Sequence, residues 1–432
     1  MGLNDQLPAH GLLHPRSLAD WRRWQAARHP VRGVVRDLRS GLQGLSERHL
    51  TLRQTGPATG AATDSAIESA TGAATGPATG AGVADPEGAE GPEVTEGAEG
   101  TAYLALGSPD ADILVVLDTL APSSALALAR PLAFLPAERL AVLSHEPADA
   151  ILPAGLRSQP VTTTQWECAL PYARVVAGAG DYLDLGGQAF AWARRHGHRR
   201  IVVQHGLMTP LAPPLGADVR LLAWSQADAD FWWSGRQDAQ SVVVGSQLLW
   251  EASRAGAAGT HPTQPDGIPA GMPSGPPSGA PSRPEAGQRP VFLGQLHGAE
   301  LPSRQMARTA ERFCRETGAV YRPHPGERDR ASRFTHALFQ RRGITIDRSG
   351  TPLAQLTSPV VSIFSTGVLE AAARGVPAWV TCADPPPWLR DFWARYDMKQ
   401  WGDRPTPGPL IPSTEPAAAV AAALAAASEE SS

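Results

Sequence analysis

Cysteine is scarce in this chain. Three occur in 432 residues, Cys168, Cys314 and Cys382, far apart and without a C-x-x-C pair. That excludes a disulfide framework and a structural zinc site, and it fits a reducing compartment, so a cytoplasmic protein is expected. Charge of one sign is also lacking: the formal net charge is −4, which leaves no global basic field and no expectation of a nucleic-acid partner. No apolar run reaches the roughly 20 residues that span a bilayer. Met1 to His14 show no basic flank, apolar run and small-residue cleavage site, so no signal peptide is expected. EF-hand, H-E-x-x-H, Walker A, G-x-S-x-G and full G-x-G-x-x-G patterns are all missing, and no metal site is expected.

What remains is a globular composition, 42 % hydrophobic, on a chain long enough for two or three domains. Two stretches stand apart. Residues 56–100 are Ala, Gly, Thr, Pro and Glu with almost no large apolar side chain, and cannot bury enough surface to offset their ordering entropy. Residues 253–289 are rich in Pro, Gly and Ser and read as a linker or surface insertion. Ahead of both lies an Arg-rich segment, residues 1–55, in which Ser17 opens a helix carrying Trp21 and Trp24. Its arginines suit peripheral docking on anionic lipid; equally, the helix is a solvated one packing its tryptophans on the first domain.

Between and after the polar stretches, short continuous apolar runs alternate with helical segments. Residues 101–252 hold Tyr103–Leu106, Ile113–Leu117, Leu140–Leu143, Arg174–Ala177, Ile201–Val203, Leu221–Trp224 and Val242–Val244. Helices are expected at Ser123–Arg130, stopping before Pro131, and at Leu185–His196, with Asp184 as its cap. Residues 290–428 repeat the scheme with Val291–Leu293, Val320–Arg322, Val360–Phe364 and Val376–Val380, and with helices closed by Gly318, Gly343 and Gly375. Strands alternating with helices predict two Rossmann-like α/β domains facing across a cleft, with ligand contacts on the loops that follow strands.

Those loops hold the candidate chemistry. In Phe364-Ser365-Thr366-Gly367 a buried strand runs through hydroxyl residues into a helix, whose N-terminus suits a phosphate. Glu370, one turn on, is placed to accept from ribose hydroxyls. Simple capping by Ser365 or Thr366 accounts for the same pattern. In Arg322-Pro323-His324-Pro325 two prolines present one imidazole rigidly on a loop. His324 there can donate to a diphosphate oxygen or protonate a leaving phosphate, with Arg322 as a fork for phosphate; a turn with a hydrogen-bonded histidine fits as well. Gln204-His205-Gly206 ends the best strand of the first block. It offers His205 as a base toward an acceptor hydroxyl, or as a packed residue at a domain boundary. Gly294 and Gln295 leave the first strand of the second block, as a loop of backbone amides or an ordinary turn. Asp181 is a weaker candidate base. The cluster Trp224, Phe231, Trp232 and Trp233 reads as packing, and the basic run Arg194–Arg200 as cations at a helix C-terminus.

In that order, His205-Gly206 with Thr209-Pro210, then His324-Pro325, then Ser365-Thr366 before a helix, the chain resembles GT-B transferases that use cytidine-nucleotide donors. These are the CDP-glycerol glycerophosphotransferases and the bacterial capsule and lipooligosaccharide sialyltransferases. The resemblance covers about residues 200–215 and 290–380, and Leu207 and Met208 interrupt its first motif. It implies GT-B architecture and a metal-independent transferase with no cofactor. The donor would be a nucleotide sugar or CDP-polyol, and the acceptor a glycan or a lipid-linked precursor of one. His205 would be the base, His324 and Ser365-Thr366 the donor-phosphate contacts and Glu370 the ribose contact. The same architecture admits a catalytically silent nucleotide- or glycan-binding protein, or a sugar-nucleotide epimerase.

Overall fold

The computed structural model describes residues 7–28, 102–238, 240–259, 288–298 and 300–430. The expected disordered segment, 56–100, and most of the 253–289 linker lie outside the described residues. One compact unit comprises Met1–Arg23 with Ala102–Ser432; of the other, Trp24–Thr101, only Trp24–Arg28 are described.

The first sheet has eight strands: β1 (Ala102–Leu106), β2 (Ile113–Leu117), β3 (Leu140–Ser144), β4 (Ser158–Val161), β5 (Val175–Gly178), β6 (Arg199–Val203), β7 (Val219–Ala223) and β8 (Gln240–Val243). Their order is β4-β1-β3-β2-β5-β6-β7-β8. From β3 through β8 every pairing is parallel; β2, β3 and β5 are buried along their whole length, as a doubly wound sheet requires, while β8 closes the sheet as an exposed edge strand. The expectation fails at β1, which runs antiparallel to β3 and β4. Residues 107–112 are too few for a parallel crossover, which needs about a dozen. Gly107 makes the tight reversal feasible, since a Cβ there would stand 1.7 Å from the Ala137 carbonyl oxygen. Strand β4 was not legible: it is four residues at the sheet edge with Pro160 inside, a tolerated edge position.

The second sheet is wholly parallel: β9 (Val291–Leu293), β10 (Val320–Arg322), β11 (Val360–Ser362) and β12 (Ala378–Val380), in the order β10-β9-β11-β12. Helices are α1 (Leu18–Arg28), α2 (Thr163–Cys168), α3 (Asp184–Arg195), α4 (Gln226–Trp233), α5 (Gln247–Gly259), α6 (Ser303–Thr317), α7 (Arg330–Arg341), α8 (Thr366–Ala373), α9 (Pro387–Arg395) and α10 (Pro416–Glu429). Helix α6 ends where the sequence says it should, on Gly318 in the left-handed region at φ 70°. The helical stretch after β2 does not stop before Pro131. It tightens from a π turn at Ala125–Ala129 into a 3-10 turn at Arg130–Phe134, with Pro131 at the start of that turn, where its missing N–H is not required.

Two helices cross between the halves. The proposed boundary at 252 falls inside α5, whose Gly256 lies against Arg374 after α8; a Cβ there would come within 2.7 Å of the Arg374 backbone. Helix α10, expected with the second domain, returns to the first: Val420, Leu424 and Ala427 join the core formed by Ile113, Val115, Val175 and Ile201. The N-terminal segment also lies on the first half. Trp21 is buried with its indole N–H donated to the Leu211 carbonyl at 2.8 Å, and Leu13 N–H reaches the Pro210 carbonyl at 2.7 Å. Trp21 therefore serves as a packing residue.

Candidate functional site

Because β9, β10 and β11 are parallel neighbours, the loops that follow them leave on one edge. A buried carboxylate draws two of these loops together. Glu327 accepts from the Tyr321 hydroxyl at 2.9 Å, from the Leu296 N–H at 3.0 Å and pairs with His336 Nε2 at 2.7 Å. The consequence is that His297 and His324 stack, ring centroids 3.7 Å apart and planes 13° from parallel.

The tautomer of His324 follows from its backbone. Gly326 N–H donates to His324 Nδ1 at 3.0 Å, so the ring proton sits on Nε2. Burial, and the neighbouring His297, push the His324 pKa down to about 4, against a smaller opposing effect of Glu327. Burial lowers His297 as well, partly offset by Glu327 and Glu300. Near neutrality His324 is a neutral imidazole with its proton on Nε2. In that state its Nε2–H can donate a hydrogen bond. His297 and Glu327 were missed as site residues. Each stands two residues beyond a segment that was read, Gly294-Gln295 and Arg322–Pro325, yet nothing in the sequence brings the two loops together.

Several predicted ligands are engaged in the fold. Arg322 donates from Nη1 to Asp347 at 3.0 Å and from Nη2 to the Thr351 carbonyl, so it is not the free phosphate fork expected. Gly294 is required by packing: a Cβ would sit 2.3 Å from the Tyr321 hydroxyl and 2.6 Å from Glu327 Oε1. Gln295 is buried, its Oε1 accepting from Ser362 Oγ at 3.0 Å and Phe364 N–H at 2.9 Å, which pins β11 to the β9 loop. Ser365 caps α8 by accepting from Gly367 N–H at 3.1 Å. Gly367 is held against Leu293 and Leu353, which a Cβ would meet at 2.6 and 2.9 Å.

Two predicted residues stay open. Thr366 begins α8 and Glu370 lies four positions on, so they share a face of the helix. Both are half-buried, and neither side chain has a hydrogen bond among the described residues. Burial raises the Glu370 pKa, with Arg374 opposing.

In the first half, His205 follows β6. Its Nδ1 is buried without a partner among the described residues, and burial lowers its pKa, partly offset by the Val203 backbone. A neutral imidazole with an unused nitrogen has the form of a base. The loop behind it is held by the second half. Met208 N–H donates to the Tyr396 hydroxyl at 2.8 Å, and Arg395 donates to the Met208 carbonyl. Tyr396 in turn donates to the buried Asp228, and the Arg395 guanidinium lies 3.7 Å over the Phe231 ring. Asp184 is not the cap of α3: it is the first helical residue, and Asp118 at the end of β2 caps instead, accepting from Leu185 and Gly186 N–H at 3.1 and 2.9 Å. Asp181 is partly buried, and burial raises its pKa.

No hydrogen bond or ring contact among the described residues joins His205 to the His297–His324 pair; α9 links the His205 loop to the loop after β11. Its Trp388 and Phe392 lie edge-on to Phe364, with centroids 6.2 and 6.4 Å away, and it leads into Arg395 and Tyr396 against Met208. Beside that junction a cavity of about 340 Å³ opens between the halves, lined by Trp224, Asp228, Leu369, Arg395, Tyr396 and the proline-rich segment 407–412. The volume is in the range of small-molecule sites. Trp232 and Trp233 are buried as expected, while Trp224 faces this cavity. Among the described residues no three His, Cys, Asp or Glu side chains gather as a metal site. None of the described helices is long and apolar enough to cross a membrane.

No family model matches the chain, and no curated protein matches it in sequence. Among solved structures it is similar to a UDP-GlcNAc 2-epimerase from Methanocaldococcus jannaschii, with 11 % identity, TM-score 0.39, and 73 % of this chain and 99 % of that one covered. It is also similar to Anabaena HepE in complex with UDP-glucose, with 11 % identity, TM-score 0.37, and coverage of 74 % and 98 %. A third is an O-GlcNAc transferase variant from Thermobaculum terrenum, with 12 % identity, TM-score 0.37, and coverage of 75 % of this chain and 63 % of that one.

Proposed function

We propose that the chain is a metal-independent GT-B transferase that moves a sugar or polyol-phosphate group from a nucleotide-activated donor to an acceptor hydroxyl. The observation that carries this is the convergence of three strand-end loops of the second half. They hold a stacked pair of imidazoles on loops tied by Gln295 to the one that opens α8, where Thr366 at the helix start and Glu370 one turn on have no side-chain hydrogen bond. The donor diphosphate lies against His324 Nε2–H and the α8 N-terminus, and Glu370 accepts from the ribose hydroxyls.

On this reading the acceptor oxygen attacks, its proton passes to the neutral imidazole of His205, and the bond to the nucleotide phosphate breaks. The electron pair leaves on the phosphate, where His324 N–H and the helix terminus stabilise the added charge without proton transfer. A cytidine nucleotide, and a cell-surface glycan or its lipid-linked precursor as acceptor, follow the motif order noted in the sequence.

Melting curves with CMP, CDP, UDP and GDP test the binding part. At least one nucleotide should raise the melting temperature, and His324→Ala should abolish the rise while the unliganded melt stays put. A rise that survives His324→Ala would sink the assignment. Binding with no transfer to any acceptor and no donor hydrolysis would leave a nucleotide-binding protein without the reaction.

A further inference from the structure

Charge is unevenly spread along this chain. Residues 303–342 hold ten arginines and four carboxylates, a net +6, in a chain whose formal net charge is −4. The stretch comprises α6, β10 and α7. Strand β10 pairs parallel with β9 on one side and, through Tyr321 and Ile346, with the segment after α7 on the other. Both crossovers step the same way across the sheet, so right-handed connections put α6 and α7 on one face of it. Arg342 at the end of α7 bonds to Glu311 of α6, which joins the two helices side by side.

Each helix turns its packing side inward: Met306, Ala310 and Phe313 of α6, and His336 and Phe339 of α7, are buried. The outward stripe of α6 is Arg304, Arg308, Arg312 and Arg315, all exposed. That of α7 is Arg330, Phe334, Ala337 and Arg341, with Arg333 beside it, again all exposed. Arg312, Arg315 and Arg342 pair with Glu316 or Glu311. Arg304, Arg308, Arg330, Arg333 and Arg341 take part in no ion pair among the described residues. Phe334 is out of place in such a surface. It is 71 % exposed, one turn after Arg330 and one turn before Ala337, so a benzyl group is left in water amid uncompensated cations.

We infer that the α6–α7 face docks the protein on an anionic lipid surface, with Phe334 entering the headgroup region and the arginines on lipid phosphates. Charge complementarity supplies the attraction, and a helix face with one aromatic among arginines is the form that lies in a membrane interface. The arginine stems run along the apolar boundary while their guanidinium groups stay at the phosphates. A soluble polyanion would use the arginines and leave Phe334 in water. The docking face belongs to the second half and is distinct from the Arg-rich N-terminal segment. It uses neither His324 nor His205, and stands or falls independently of the transferase reading.

The test is co-sedimentation of the full chain with vesicles of phosphatidylcholine alone, or with about 30 mol % phosphatidylglycerol. The protein should bind the anionic vesicles and not the neutral ones, and lose most of that binding between roughly 0.1 and 0.5 M salt. The double variant Arg330→Glu with Arg333→Glu should weaken partitioning about tenfold or more. Phe334→Ala should weaken it about threefold to tenfold, and Phe334→Trp should restore it. All three positions are exposed, so the melting temperatures should match that of the unaltered chain. Arg22→Gln with Arg23→Gln should bind as the unaltered chain does. Absence of binding, equal binding to both vesicles, or binding indifferent to the α7 variants would each overturn the inference. Loss only in the Arg22 and Arg23 variant would move the docking to the N-terminal segment. Soluble polyphosphate bound as tightly as the vesicles, with no dependence on Phe334, would replace the membrane by a polyanion.

Discussion

The two halves hold their candidate histidines by different means. In the second half the positioning is internal. Glu327, six residues past Tyr321 and nine before His336, gathers the hydroxyl, the imidazole and the Leu296 amide, and the His297–His324 stack follows. In the first half the His205 loop depends on its neighbour: both backbone groups of Met208 are bonded to Arg395 and Tyr396. On the proposed reading, a phosphate cradle made of contacts within one half is preorganised before anything binds. A base tethered through the other half would be placed only when the halves hold the arrangement seen here. The difference gives two kinds of mutation separable signatures.

The largest effect is expected from Glu327→Ala. It strands a buried hydroxyl, an imidazole and an amide, and should cost about 3–5 kcal/mol in chemical denaturation, with loss of nucleotide binding. Glu327→Gln, which retains an acceptor, should cost less; equal costs would mean that the carboxylate is not the organiser. Tyr396→Phe comes next. It removes the acceptor of Met208 N–H and the donor to Asp228, for roughly 1–3 kcal/mol. Since it touches the first-half loop alone, transfer should fall while nucleotide affinity holds. A parallel loss of affinity would erase the contrast between the halves.

A smaller effect concerns pH. His324 has its pKa depressed to about 4, below the usual histidine value near 6.5. Between those values the unfolded chain binds more protons than the folded one, so this group makes stability fall as pH drops through that window. Since His324 donates as a neutral imidazole, nucleotide affinity should not gain as pH falls from 8 to 6. Calorimetry in buffers of different ionisation enthalpy should register no proton uptake by the protein; a steep rise in affinity with proton uptake would mean that an imidazolium, not the neutral N–H, meets the phosphate. The smallest change is Ser365→Ala, a lost helix cap worth about 1 kcal/mol. A much larger loss of nucleotide affinity with little loss of stability would give Ser365 the ligand role that its hydrogen bond to Gly367 does not show.

Strand placement was legible because buried parallel strands are short continuous apolar runs, and such runs are local facts of sequence. The direction of β1 was not, since an apolar run carries no sign; only the shortness of the connection betrays it. The helix after β2 ran through Pro131 because a proline can open a tighter turn as readily as end a wider one. Among the candidates, Thr366 and Glu370 keep side chains without hydrogen bonds among the described residues, and His205 keeps Nδ1 without one, while His324 spends Nδ1 on Gly326 N–H. Arg322, Gly294, Gln295, Ser365 and Gly367 were found in the right places with their bonds or space already used by the fold.

By itself the sequence determined the alternation of strand and helix, the polar segments and the strand ends where prolines, glycines and hydroxyls cluster, because periodicity and turn chemistry act over a few residues. The tertiary structure alone decided which groups are free. Whether Arg322 meets Asp347, whether two histidines 27 positions apart stack, and whether α10 completes the first core depend on chain segments brought together by packing, and burial and pairing exist only after that packing is made.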